Sequence, residues 1–431
     1  TFFEGVHALE AGHNLVYAIG THSVEQRRYY ELAAQPEVRA LDEPSATERF
    51  LSELKRSVAY RLRSDVKVGS CLSGGLDSSS IASLSAALYH ADTPDRFQAV
   101  HARTGLDETD ESDYARELAS ACDIDLFIIE PSADEFIQAI DDLVYCQEEP
   151  FATPSVFMQY FVFQKAKEIG CKVMLDGQGA DEILLGYKRY YSAFLRSVPR
   201  RNLIREFLFI RNHSTLSLRE LLGYFLYFSI SKVRIASLRR KFPYIKPEYL
   251  GQFPNIRQLN DSCRNIQDMQ KMEIERFQLP HLLRYEERNS MRHSIEARLP
   301  FLDYKLVEVA FSMDDHFKIR NGWAKHVLRV AMAGLVPKNI LWRKSKFGFE
   351  APRANWIKAA RASMESAIVR SAIVGGMCKG KLNFRKIDDT SFWKLYNIAK
   401  WEEIYSVRMP APDEVCAAES AQEASCIART V

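Results

Sequence analysis

The sequence predicts an α/β fold, a doubly wound parallel sheet followed by an all-helical lobe. Three observations predict it. Short apolar runs alternate with helical stretches between residues 66 and 176, the mark of strand–helix–strand units. Two of those runs end in glycine turns, SGGLDSSS at 73–80 and DGQGADE at 176–182. From about Tyr187 onward apolar residues recur at helical spacing almost throughout.

In chain order, residues 13–32 alternate about a turn and predict a hairpin or sheet edge. A polar linker, AAQPEVRALDEP, follows. Residues 45–63 predict an amphipathic helix, with Ser45 and Glu48 as its capping box. Strands are expected at 66–72, 97–102, 125–129 and 172–176. Helices at 77–91, 109–121 and between 132 and 169 connect them. The division that results is an N-terminal segment 1–40, an α/β region 41–190, a helical lobe 191–408 and a frayed tail 409–431, whose residues are small and polar.

With 431 residues and 47% hydrophobic content the chain can bury sizeable cores. Its net charge of +2 carries no bulk message about nucleic acid or anionic membranes. The eight cysteines lie singly, with no CxxC pair, so neither a zinc site nor a disulfide framework is suggested and a reducing cytoplasm fits. Cys71 and Cys171 sit in strand-like runs and read as core. The longest apolar run, Leu221–Ile230, is too short to span a bilayer. Residues 196–246 mix arginines with aromatics. Such a stretch suits RNA or a membrane surface, but arginines flanking apolar helices are more often solvated surface residues.

The chemistry concentrates at the two glycine turns. Gly74 and Gly75 remove Cβ atoms where backbone amides face a ligand, and the following helix adds partial positive charge. Ser73, Ser78 and Ser79 add hydroxyls. Asp77 repels phosphate unless a cation lies between, and a hard ion such as Mg²⁺ resolves the conflict. The second turn places Asp181 and Glu182 at a helix start, where Asp181 across from Asp77 completes a two-carboxylate magnesium site. Taken singly, Asp181 is an ordinary helix-start acid. This is not the Walker pattern, and the near miss GGMCKGKL at 375–382 ends in Leu outside any strand–turn–helix context.

The SGGLDSSS turn resembles the PP-loop of ATP pyrophosphatases. Together with GQGADE, RYEERNSMRHSIEARLPFLD, AKHVLRVA and LWRKSKFGFEAP in that order, it makes the chain similar to the synthetase domain of glutamine-dependent asparagine synthetases. The opening TFFEGVHALEAGH resembles the end of that family's glutaminase domain, whose catalytic cysteine would lie upstream of Thr1. The resemblance implies an ATP-dependent, AMP-forming ligase that adenylates a carboxylate and passes it to ammonia or an amine. It assigns Leu72, Val100, Asp176 and Gly177 to nucleotide contacts, and Ser73 to Ser79 to pyrophosphate. It makes Asp77 and Asp181 the magnesium ligands and Lys346 the lysine that neutralises developing charge. Lys325 either assists with the phosphates or is a solvated helix lysine. Glu296 and Arg298 form a buried structural pair or join catalysis, and Glu286 and Glu287 are candidate proton acceptors.

One position departs from the family pattern. Asparagine-forming members carry a glutamate where this chain has Gln178, and a glutamine positions a nucleophile but cannot accept its proton. β-Lactam synthetases and lasso-peptide cyclases, in which an amine of the same molecule attacks, also differ there. A transfer-RNA-modifying PP-loop enzyme and a noncatalytic binding module are the alternatives outside the ligase class.

Overall fold

The computed structural model describes residues 1–106, 110–251, 263, 265–344 and 350–409. From residue 410 on, the expected tail lies outside them. Strands β1 (His13–Ala18) and β2 (Ser23–Arg28) form the antiparallel hairpin, His13 opposite Arg28. A single turn, α1 (Pro36–Arg39), leads to α2 (Glu43–Leu62). That helix starts two residues before Ser45. Pro44 suits a first helical turn, so Asp42 becomes the cap and accepts the Ser45 N–H at 2.9 Å.

The central sheet contains five parallel strands in the order β5-β4-β3-β6-β7. They are β3 (Val68–Cys71), β4 (Gln98–Ala102), β5 (Asp125–Ile129), β6 (Val173–Leu175) and β7 (Glu296–Arg298). Parallel neighbours need crossovers, supplied by α3 (Leu76–Asp92), α4 (Ser112–Ala121), α5 (Ala133–Gln147) and α6 (Ser155–Glu168). Alternation along the strands divides the interior in two. Cys71, Val100 and Met174 join a core with residues of α5, α6 and the C-terminal helices. Val68, Leu72, Ala99, Val173 and Leu175 join another with residues of α2, α3 and α4. The sheet is thus covered on both faces.

The second half is helical with two corrections: a short antiparallel pair, Ile319–Arg320 with Trp323–Ala324, lies within it, and it also supplies a strand of the central sheet. Residues 296–298, expected in the helical lobe, form the edge strand beside β6, Glu296 in register with Val173 and Arg298 with Leu175. The sheet edge beyond β6 would otherwise leave backbone groups unpaired. Arg298 fastens this strand to the end of α2, its Nη1 donating to the carbonyls of Arg61 and Arg63 at 2.8 Å each. Its own carbonyl accepts the Asp176 N–H at 3.0 Å, so β7 also holds the first residue of the second glycine turn.

An aromatic cluster ties the C-terminal helices to α5 and α6. Phe136 stacks on Trp356 with centroids 4.6 Å apart and meets Phe157 edge-on at 4.7 Å, all three fully buried. Trp356→Ala should lower the unfolding free energy by about 3–5 kcal/mol in urea titrations. A loss below about 1 kcal/mol would show that the stack does not join the helices to the α/β region.

Candidate active site

The strand order reverses between β3 and β6, and in open α/β sheets the crevice beyond that switch point is where ligands bind. Both glycine turns leave the sheet there. After β3, Gly74 adopts φ +81°, and a Cβ on it would lie 2.7 Å from the Glu111 carbonyl. The Ser73 and Ser78 hydroxyls meet at 2.9 Å, and Ser78 Oγ accepts the Ser73 N–H at 3.1 Å. Ser79 is fully buried at the start of α3, its hydroxyl without a hydrogen-bond partner among the described residues. After β6, Gly179 turns the chain at φ +92° into a helix of one turn only, Ala180–Ile183. The helix expected there is present but short, and Leu185 just beyond it takes φ +57°.

The two turns touch. A Cβ on Gly177 would lie 2.7 Å from the Ser78 amide and 2.9 Å from the Asp77 carbonyl carbon, so only glycine allows this approach. The contact brings Asp77 and Asp181 onto one point. Asp77 Oδ2 and Asp181 Oδ1 each lie 2.6 Å from Lys325 Nζ. Lys325 is 4% exposed, which excludes the solvated reading. It sits at φ +54°, unusual for a residue with a side chain, where the helix His326–Ala331 begins. Gly186 gives it room, since a Cβ there would lie 2.0 Å from Asp181 Oδ1 and 2.1 Å from Lys325 Cε.

Beside this point opens a recess of about 90 Å³, lined by Leu76 and Gly186 and by the basic side chains Lys188, Lys325, Arg329, Arg343 and Lys344. No carboxylate lines it among the described residues. Burial lowers Arg329 to about 10. A polyphosphate suits such a lining. Two carboxylates converging on a cationic point also fit Mg²⁺, which takes one or two protein carboxylates and completes its shell with phosphate and water. No larger group of metal-ligating side chains occurs among the described residues.

Behind the second turn lies a pair of acids. Asp176 accepts its neighbour's N–H, from Gly177, at 2.5 Å and hydrogen-bonds Glu286, to which Gln159 donates at 2.6 Å. Burial lifts Asp176 to about 6 and, with the Asp176 charge, drives Glu286 well above the usual carboxylate range. Glu182, buried beside Tyr187, is lifted to about 7, first by burial and then by Asp181. The sequence marks Glu182 only as a helix-start acid, and Arg329 and Arg343 stand in the runs AKHVLRVA and LWRKSKFGFEAP without being singled out; Gln159 and Gly186 carry no local pattern that would have found them.

Other expected residues lie apart. Leu72 and Val100 are fully buried and bonded to each other through the main chain at 2.9 Å, so they form a floor rather than an open face. Glu296 does not join the turns. It starts β7, at the opposite end of the sheet, and its exposed side chain accepts from Arg298 at 2.7 Å. The Glu296–Arg298 pair is structural, on a half-open edge rather than buried. Glu287 is exposed. Lys346 lies outside the described residues.

Fold and site define a class: a doubly wound α/β protein with paired glycine corners at its switch point. A family model described as asparagine synthase matches residues 49–396. Asparagine synthetase (glutamine-hydrolysing) 1 of Bacillus subtilis strain 168 is 30% identical over 330 residues, covering 70% of this chain and 49% of that protein. A putative asparagine synthetase (glutamine-hydrolysing) of Mycobacterium tuberculosis H37Rv is 28% identical over 412 residues, covering 90% and 61%. Among solved structures, an NH3-dependent NAD synthetase from Campylobacter jejuni aligns at 17% identity over 55% of this chain and 96% of its own, with a TM-score of 0.25. The chain belongs to the asparagine synthase family, and spans about half to three fifths of the length of these two curated relatives.

Lys325→Met should cost about 3–5 kcal/mol, because it leaves two facing carboxylates without their ammonium. Urea titration measures this, and a change under about 1 kcal/mol would remove the lysine as their clamp. The acid pair has a pH signature of definite sign. Carboxyls raised on folding stabilise the protein below their unfolded values, and that stability is lost as pH rises through their folded values, here from about pH 4 to beyond about pH 6. Glu286→Gln should therefore gain stability over the wild type at about pH 8 but not at about pH 4. Equal effects at both would exclude the coupling.

Proposed function

We propose that this chain is an ATP-dependent ligase that forms an amide on a substrate carboxylate, with AMP and pyrophosphate as co-products. One observation carries the reading: Asp77 and Asp181, on two glycine corners in contact, share one point at 2.6 Å from a single buried cation. Family membership supports it.

In this reading the amides of Gly74 and Gly75 and the hydroxyls of Ser73, Ser78 and Ser79 bind the triphosphate at the start of α3, over the floor of Leu72 and Val100. Asp77 and Asp181 hold Mg²⁺, which, when bound, supplies charge neutralisation on the phosphates. Lys325 keeps the two acids together in the nucleotide-free enzyme. A carboxylate oxygen of the substrate attacks the α-phosphorus, and the bond to the bridging oxygen of the β-phosphate breaks. Arg329, Arg343 and Lys344 receive the pyrophosphate in the basic recess. The amine nitrogen then attacks the acyl carbon and AMP departs. The amine's proton passes to the Asp176–Glu286 pair, whose raised affinity suits a base near neutral pH. Gln178, two residues from Asp176, orients the nucleophile. By resemblance, Lys346 neutralises charge on the acyl phosphate.

Aspartate is the acid that family membership suggests, and Gln178 keeps both ammonia and an internal amine open as nucleophile. Exchange of labelled pyrophosphate into ATP tests the first half-reaction. With an acid that supports exchange in the wild type, Asp77→Asn should reduce the rate at least about 1,000-fold while circular dichroism stays unchanged. A folded variant that still exchanges would remove Asp77 from the phosphate site.

A further inference from the structure

A cavity of about 630 Å³ opens against the second glycine corner, and Gln178 and Gln159 line it. Gln178 links it to the corner through Gly177, and Gln159 is held by its bond to Glu286. The volume falls within the range of pockets that enclose drug-sized ligands, of which a free amino acid fills only a small part. Much of the remaining wall is apolar: Phe151, Val156, Leu282, Tyr285 and Ile398 face the space. A site for ammonia and aspartate alone has no use for such a wall, which would hold only poorly bonded water.

The charges in the wall share one sign. Arg284 and Lys394 line the cavity, His281 beside them is held toward its neutral form by burial and by Arg284, and no aspartate or glutamate lines it among the described residues. Arg284 is fixed by Glu149 at 3.1 Å and by the Gln147 carbonyl at 2.8 Å. Lys394 stands on the same helix face as Ile398, one turn apart. It has no carboxylate within ion-pair distance among the described residues, and its ammonium lies 6.0 Å from the Phe242 ring centre. Burial and the neighbouring Lys241 pull it below the usual lysine range. Among the described lining residues no carboxylate offers an ammonium ligand an ion pair, whereas an anion finds Arg284 and Lys394.

We infer that this cavity takes the acid substrate, and that the acid is a carboxylate carrying an apolar body larger than a free amino acid. The inference rests on the ligase reading for the fate of the carboxyl, which is directed toward Gln178 and the nucleotide corner. It does not depend on that reading for binding itself.

Calorimetric titration of the whole chain with N-acetyl-aspartate and N-octanoyl-aspartate tests it, since the two probes differ only in the apolar body. The octanoyl compound should bind at least about tenfold more tightly. Ala152→Trp, which fills the cavity from an exposed wall position, and Lys394→Gln should each weaken its binding about tenfold and leave ATP affinity unchanged. Equal affinity for the two probes, or octanoyl binding indifferent to both substitutions, overturns the inference. Pyrophosphate exchange run beside the titration separates the two claims. If the octanoyl compound binds as expected but neither it nor any other acid supports exchange, the cavity assignment stands and the ligase reading fails.

Discussion

The contact on which the site depends is that of one ammonium, Lys325 Nζ, with two carboxylates from different strand ends. Two acids brought together in a nearly dry crevice repel strongly unless a cation lies between them. The protein supplies that cation from a third segment, so three parts of the chain meet at one charge. The surrounding glycines make the meeting sterically possible. Gly177 lets the corners touch, and Gly186 clears the space that the lysine stem fills. The second corner is braced from behind as well. Gln270 donates to the carbonyls of Glu182 and Ile183 at 3.1 and 2.7 Å and accepts from the fully buried Lys318 at 3.0 Å.

On either side of this charge the molecule separates two kinds of surroundings. The recess by Arg329 and Arg343 is small and cationic, suited to phosphate oxygens. The space past Gln178 is large and mostly apolar. Between them stand the corners and, behind the second, the Asp176–Glu286 pair, whose burial strengthens the hold of both carboxyls on their protons. Such a division sets a cationic recess and a mostly apolar cavity beside the same pair of corners. The sheet makes it possible, because both corners leave from adjacent strands of one rigid layer.

Much of this was legible in the sequence because the responsible signals are local. Strand–helix alternation is a periodicity, and all four strands expected between 66 and 176 occur within two residues of their expected ends. Gly74, Gly75, Asp77 and Asp181 are conspicuous because glycine and acid at a strand end are an unusual combination. What escaped reading is non-local. Strand β7 is three residues long between helices, too short to show alternation, and exists because the edge of β6 needs a partner. Lys325 resembles any helix lysine until the fold carries it 248 residues back to Asp77. Gln159 and Arg343 gain their roles from distant acids, Glu286 and Glu111, that no spacing rule connects to them. The early start of α2, at Glu43 with Asp42 as its cap, was a local miss, since Pro44 was visible.

The late arrival of β7 bears on how the chain is made. Arg298 both closes the sheet and holds Asp176 by its carbonyl, and Lys325 follows it in sequence. While a ribosome is still adding the residues between β6 and β7, the second corner has neither its edge neighbour nor its counter-ion. The first half of the polypeptide therefore emerges with a raw sheet margin and two mutually repelling acids. Nascent chains halted before Arg298 should be sticky and protease-sensitive, and maturation of the crevice becomes a late, long-range step in biogenesis.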